Sequence, residues 1–167
     1  MPRAMLFILL FGIVSMFSDM TKESAESIRG AFLSLMGASA ATIGLVSGLG
    51  ELVGYSLRFV SGRFADRSRK YWPIVIAGYC MELITIPALA LVGEHGWIAA
   101  CILLIIQKFG KAIKKPAKDT IVSFAASQQG AGKAFGLQEL LDQFGAVLGP
   151  LLLYVIMLFK TDGRTSE

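Results

Sequence analysis

Apolar runs constrain this chain most strongly, because each is roughly twenty residues long, the length of an α-helix that crosses a lipid bilayer. The composition agrees with this reading: 54% of the 167 residues are hydrophobic and 17% are charged, whereas a soluble domain is about a quarter charged. We therefore predict an all-α membrane protein with five transmembrane helices. The predicted spans are about 4–20, 38–61, 73–93, 97–113 and 136–159.

The segments between the predicted spans are short and hydrophilic. Residues 21–37 are expected to form an exposed connection with a short surface helix, and 62–72 to form a charged turn. Glu94-His95-Gly96 is expected to be a minimal turn. A basic connection at 114–134 precedes the fifth span, and 160–167 is expected to be a polar tail.

Lysine and arginine are distributed unevenly over these segments. If the N-terminus is cytoplasmic, ten of them fall on the cytoplasmic side and four on the outer side. Membrane proteins keep basic residues in cytoplasmic loops, so this bias predicts a cytoplasmic N-terminus and an outer C-terminal tail in a multi-pass protein of the cell (inner) membrane. The same bias explains the net charge of +4, so the lipid bilayer is an expected partner and nucleic acid is not.

The sequence contains no recognisable catalytic or metal-binding pattern. Cys80 and Cys101 stand alone within apolar segments, and His95 is the single histidine. No HExxH motif and no phosphate-binding P-loop is present, which argues against a metallohydrolase and a nucleotide-driven pump. We predict that the protein is not an enzyme, that it has no metal site and that it needs no cofactor.

Charged residues within the predicted spans are the candidates for function, because a charge at mid-bilayer costs roughly 2.5–3.5 kcal/mol. Glu51 is expected near the midplane, and Arg58 lies on roughly the same helix face. Glu139 and Asp142 are three residues apart and share a face, and Asp19 ends the first span. We predict roles in substrate binding or proton coupling, since a carboxylate in a low-dielectric environment can load and release a proton near neutral pH. The alternative for each is a structural ion pair between helices.

Two further charges are expected to serve packing or pairing rather than coupling. Glu82 lies midway along the third span, and Lys108 lies in the inner half of the fourth. The sequence leaves open whether they pair with each other or with other residues.

Two motifs carry a resemblance to a known family. The segment Gly62–Lys70, GRFADRSRK, resembles the loop between the second and third helices of major facilitator superfamily (MFS) transporters. Phe64 stands where leucine is usual, and Arg69 stands where a second glycine is usual. GAVLGP at 145–150 resembles the glycine–proline motif of the same family. The matching positions of the first motif are Gly62, Ala65, Asp66, Arg67 and Lys70.

The resemblance implies a fold of two six-helix halves that rock about a central site by alternating access. It implies a conformational latch on the cytoplasmic side, formed by Gly62, Asp66, Arg67 and Lys70. It also implies helix packing and gating by Gly145, Gly149 and Pro150. Since the sequence stops after the fifth predicted span, we expect a fragment or a truncated reading frame, or else a half that pairs with a second polypeptide in place of the missing C-terminal half.

The leading hypothesis is a secondary active transporter, or part of one, that moves a small solute by alternating access, with H+ as a candidate coupling ion. The alternative is a non-transporting membrane scaffold or sensor subunit that uses half of the MFS fold for assembly. An isolated chain that forms a defined complex and moves nothing would favour the alternative.

Overall fold

A computed structural model describes residues 3–93, 96–127 and 130–162, and all the regular elements in these ranges are α-helices. The predicted all-α class is therefore confirmed. The predicted turn at Glu94 and His95 lies outside the described residues, as does most of the predicted polar tail. The helices are α1 (Arg3–Leu35), α2 (Ala40–Ser68), α3 (Tyr71–Ala90), α4 (Trp97–Ala126) and α5 (Ala131–Asp162).

Four of the described helices, α1, α2, α3 and α5, are long and apolar enough to cross a membrane. The sequence of α4 is interrupted by Lys108, Lys111 and Lys114. Two of these lysines contact carboxylates of other helices, because Lys108 pairs with Glu51 of α2 and Lys114 with Glu82 of α3. α4 contacts all four other helices, so its charged face is turned into the bundle.

Two predicted connections are largely helical: the short helix expected within 21–37 is a continuation of α1, and the prediction of a connection at 114–134 was wrong over 114–126. α1 continues without a break through 21–35, and α4 continues through 114–126. Polar residues in both segments are turned inward: Lys22 is 5% exposed, Lys114 is 4% exposed and Lys118 is 2% exposed. Lys114 and Lys118 form ion pairs with neighbouring helices, and Lys22 pairs with Glu23 of its own helix, so the helices need not end where the sequence becomes polar.

Small residues let the most extensively packed helices approach closely. Gly78 of α3 and Gly110 of α4 face each other, and a Cβ on either would lie 2.8 Å from the main-chain oxygen of the other. Gly145 and Gly149 of α5 are buried against main-chain carbonyl groups of α1. Close backbone approach at small residues is a common way for membrane helices to associate.

The junction between α2 and α3 is a tight turn at Arg69. This residue adopts the left-handed conformation, with φ 52° and ψ 16°, and its N–H donates to the carbonyl oxygen of Ala65 at 2.9 Å. α3 begins two residues later, at Tyr71. The turn forms although glycine is absent, and a residue with a Cβ pays roughly 1–2 kcal/mol for this conformation.

Arg69→Gly is therefore expected to raise the free energy of unfolding by about 1 kcal/mol, because glycine adopts the left-handed conformation without the Cβ clash. Thermal unfolding of the detergent-solubilised protein measures the change. Arg69→Ala keeps the strain while it removes the charge, so it is the matched control. A glycine variant that melts no higher than the alanine variant would contradict the prediction.

Candidate functional site

A column of lysines on α4 faces the interior of the bundle. Lys108, Lys111, Lys114 and Lys118 follow one another at spacings of three and four residues, which places them along one side of an α-helix. Three of them pair with carboxylates of other helices. α4 therefore supplies the cations around which the carboxylates of its neighbours are arranged.

The pair between Lys118 and Asp142 joins α4 to α5. The Lys118 Nζ lies 2.7 Å from the Asp142 Oδ2, and the same ammonium group donates to the Ser15 hydroxyl of α1. The amide of Gln138 donates to the Asp142 Oδ1 at 3.2 Å. Both oxygens of this buried carboxylate are thus hydrogen-bonded, and three helices meet at one ion pair.

The pair between Lys114 and Glu82 joins α4 to α3 in the most buried part of the bundle. Glu82 is 1% exposed, and its Oε2 accepts from the Lys114 ammonium group. That ammonium also lies 3.4 Å from the Ser18 hydroxyl and 4.0 Å from the centre of the Tyr79 ring. The pairing role expected for Glu82 is confirmed, and its partner is Lys114 rather than Lys108.

Lys108 pairs with carboxylates of two helices at once. Its ammonium group donates to Glu51 of α2 and lies 3.7 Å from the Oε1 of Glu26 on α1. Glu26 also accepts from Arg29 at 2.8 Å, and Arg29 reaches the Ser47 hydroxyl of α2 at 3.4 Å. The Glu51 side chain is 54% exposed, so this carboxylate combines an ion pair with access from outside the protein.

A cavity of about 510 Å³ collects most of the predicted site residues. Asp19, Arg58, Glu139 and Asp142 all line it, and they come from three different helices, α1, α2 and α5. Glu51 instead lines a smaller cleft beside it. The other charged and polar residues of the cavity lining are Lys22, Glu23, Tyr55, Lys111, Lys114, Lys115, Lys118 and Gln143.

Two of the predicted residues have their own local support. The Arg58 guanidinium lies 4.8 Å from the centre of the Tyr55 ring, one turn earlier in α2. Glu139 is exposed and accepts a hydrogen bond of 3.1 Å from the amide of Gln143. Neither contact removes the charge, so both groups remain available to a solute in the cavity.

Sequence reasoning named Lys108 as a pairing residue but missed Lys114 and Lys118, because the hydrophilic stretch after residue 113 reads as a loop. The spacing of Lys108, Lys111, Lys114 and Lys118 is the signal that could have found them. A cation at every third or fourth residue, in continuation of an apolar run, is typical of one helix face.

The expected latch and packing residues lie outside the cavity lining. Asp66, Arg67 and Lys70 are exposed around the end of α2, and Gly62 lies beside Pro116 of α4. Gly145 and Gly149 are buried against α1, and Pro150 follows inside α5. The structure therefore separates a charged cavity, an exposed motif and a close helix contact.

Comparisons with known proteins agree with this architecture. The model of the Major Facilitator Superfamily matches residues 3–161. Uncharacterized proteins of Mycobacterium bovis and Mycobacterium tuberculosis are 46% identical to the chain over 145 residues, which cover 87% of this chain and 35% of each relative. An uncharacterized MFS-type transporter of Methanocaldococcus jannaschii is 31% identical over 150 residues, which cover 90% of this chain and 37% of that protein.

The multidrug resistance protein MdtH of Klebsiella pneumoniae is 31% identical over 128 residues, which cover 75% of this chain and 30% of that protein. No solved structure matches the chain. The chain spans about a third of the length of the relatives that it matches most extensively. The family match covers nearly all of the chain and confirms the resemblance carried by GRFADRSRK and GAVLGP: the chain belongs to the Major Facilitator Superfamily.

Proposed function

We propose that the protein is a secondary active transporter, or part of one, that moves a small solute across a cell membrane by alternating access. The observation that carries the proposal is the convergence of charges from four helices of the bundle, α1, α2, α4 and α5, on one cavity. Its volume of about 510 Å³ is within the range of small-molecule sites. Ionisable residues inside membrane proteins mark solute and ion pathways. The names of the relatives from Methanocaldococcus jannaschii and Klebsiella pneumoniae support the same class.

In this proposal Asp142 is the coupling carboxylate. As an anion, Asp142 accepts hydrogen bonds from Lys118 and Gln138, and Lys118 also donates to the Ser15 hydroxyl of α1. Protonation removes the charge that binds Lys118, which weakens the contact among α1, α4 and α5. A proton can thereby shift the population of two arrangements of these helices.

Glu51 is proposed to act in the same way between α2 and α4, because its carboxylate forms an ion pair with Lys108. Asp19, Arg58 and Glu139 are proposed to face the solute from the cavity wall. Gly145, Gly149 and Pro150 are proposed to let α5 bend or slide along α1 during gating.

We further propose a cytoplasmic N-terminus and a latch at the α2–α3 junction. Lys114 and Lys118 are buried in ion pairs and are left out of the count of basic residues on the cytoplasmic side. The junction still supports the orientation, because it exposes four basic residues: Arg63, Arg67, Arg69 and Lys70. Asp66 and Arg67 are exposed, so they are free to contact a second helical half, supplied by the same protein or by another polypeptide.

Asp142→Asn in the complete natural protein is expected to remove the pH dependence of solute uptake and to lower uptake by at least about tenfold, the equivalent of one charge-assisted hydrogen bond. Uptake by membrane vesicles across the neutral pH range measures both effects. Asp119→Asn is the matched control, because Asp119 pairs only loosely with Lys115, at 3.8 Å on the same helix, and lies outside the cavity lining.

Unchanged pH-dependent uptake in both Asp142→Asn and Glu51→Gln would refute the coupling role. A complete protein that forms a defined complex and moves no solute would favour the scaffold or sensor function instead.

A further inference from the structure

Two cations of the cavity have no carboxylate partner among the described residues. No carboxylate oxygen of the described residues lies within 4.0 Å of the charged groups of Arg58 or Lys111. The four other basic residues of the lining are Lys22, Lys114, Lys115 and Lys118, and each has such a partner. Arg58 and Lys111 line both the cavity and the smaller cleft beside it, so they occupy the wall that the two spaces share.

A buried hydrogen-bond donor at this wall also lacks an acceptor. The Arg58 Nε is buried and has no hydrogen-bond partner in the described part of the chain. The ammonium group of Lys22 is a close neighbour of Lys111, whereas the nearest carboxylates, those of Glu23 and Glu26, lie beyond 4.0 Å. A buried donor without an acceptor is costly, and a concentration of like charge adds to that cost. An anion bound at the wall would relieve both.

Two of the four acids of the cavity are engaged in ion pairs. Glu23 and Asp142 are engaged in ion pairs with Lys22 and Lys118. Glu139 is exposed and accepts a hydrogen bond from Gln143.

The remaining acid, Asp19, has no cation within 4.0 Å in the described part of the chain. Neither Asp19 nor Glu139 lines the smaller cleft, whereas Arg58 and Lys111 do. At the wall that the two spaces share, the lining groups of the cavity without an ion-pair partner among the described residues are therefore positive.

We propose that Arg58 and Lys111 form an anion-binding subsite and that the solute carries a carboxylate or phosphate group. The guanidinium group of arginine matches either anion with two parallel hydrogen bonds, and a lysine adds a compact charge from a second helix. The solute's role as cargo rests on the proposed transport function, whereas binding at the subsite does not depend on it.

Thermal unfolding of the complete natural protein in detergent tests the subsite directly. The probes are sodium succinate and sodium phosphate, which distinguish the two kinds of anion, with sodium chloride, choline chloride and glycine at matched ionic strength. We expect succinate or phosphate to raise the Tm above its value in chloride. Arg58→Gln and Lys111→Gln are each expected to weaken the apparent affinity for that anion about tenfold.

Two control variants make the result specific. Lys133→Gln removes an exposed lysine of α5 outside the cavity lining, and the anion effect should be unchanged in it. Arg58→Lys keeps the positive charge but loses the two parallel donors of the guanidinium group. This variant should therefore bind the anion more weakly than the wild type and more tightly than Arg58→Gln. Calorimetric titration of succinate or phosphate provides the same comparison if a variant unfolds too early for the melting assay.

The proposal would be overturned if neither succinate nor phosphate raised the Tm. It would also be overturned if the anion still raised the Tm of a variant that carries both Arg58→Gln and Lys111→Gln. A shift with choline or glycine alone would also overturn it, since the site would then select a cation or a zwitterion. If the anion binds but is not transported, the result would support the anion-binding subsite and refute the proposed transport function. Uptake restricted to a cationic or neutral solute would keep transport and refute the subsite.

Discussion

Glu82→Gln is expected to lower the free energy of unfolding by about 3–5 kcal/mol, because it leaves the buried ammonium group of Lys114 without a counter-charge. Among the described residues, the other groups in direct contact with that ammonium are the Ser18 hydroxyl at 3.4 Å and the Tyr79 ring at 4.0 Å, whereas the Asp19 carboxylate lies beyond 4.0 Å. Neither the hydroxyl nor the ring carries a negative charge. Equilibrium unfolding of the detergent-solubilised protein, followed by circular dichroism, measures the loss.

The double variant Glu82→Gln with Lys114→Met is the informative control. It leaves no charge in the buried position, so we expect it to recover most of the stability. Asp119→Asn breaks an exposed pair with Lys115 on the same helix and should change the stability by less than about 1 kcal/mol. A double variant as unstable as the single variant would show that the loss does not come from the uncompensated lysine.

Gly145→Ala and Gly149→Ala are each expected to cost about 1–3 kcal/mol through overpacking. A Cβ at Gly145 would collide with the carbonyl oxygen of Met16, and one at Gly149 with that of Met20. Main-chain atoms cannot rotate away as a flexible side chain can. α1 and α5 would have to separate, and the loss should appear in the same unfolding measurement.

Gly136→Ala is the matched control for this pair. Gly136 lies in the same helix, and a Cβ there would have no neighbouring atom within 4 Å. Alanine is the better helix former, so this variant should be more stable than the wild type by about 0.5–1 kcal/mol. If Gly145→Ala were as stable as Gly136→Ala, the close contact between α1 and α5 would be refuted.

The sequence predicts the class and number of helices because the bilayer fixes a length that apolar runs reveal directly. It also locates the turn between α2 and α3, because GRFADRSRK interrupts two such runs. It does not predict where α1 and α4 end. Local hydropathy reports how polar a segment is, and not the direction in which its side chains point. Residues 21–35 and 114–126 are polar yet helical, because Lys22, Lys114 and Lys118 are directed at other helices.

The candidate site follows the same logic. The cost of a charge in the bilayer is visible in the sequence, so Asp19, Arg58, Glu139 and Asp142 could be singled out before their shared cavity was seen. Their partners could not, because an ion pair such as Lys118 with Asp142 depends on how two helices are rotated towards each other. That rotation is set by packing across the whole bundle, which a single sequence does not display.

The lysine column of α4 has a consequence for the order in which the chain is made. Glu51 and Glu82 precede α4 in the sequence, so the counter-charges of Lys108 and Lys114 leave the ribosome before these lysines do. Asp142 comes 24 residues after Lys118. α4 can therefore insert against α2 and α3 with two of its cations neutralised, while the third has to wait for α5. The Lys118–Asp142 pair can therefore close only after Asp142 of α5 has been made, later than the two other pairs of the lysine column.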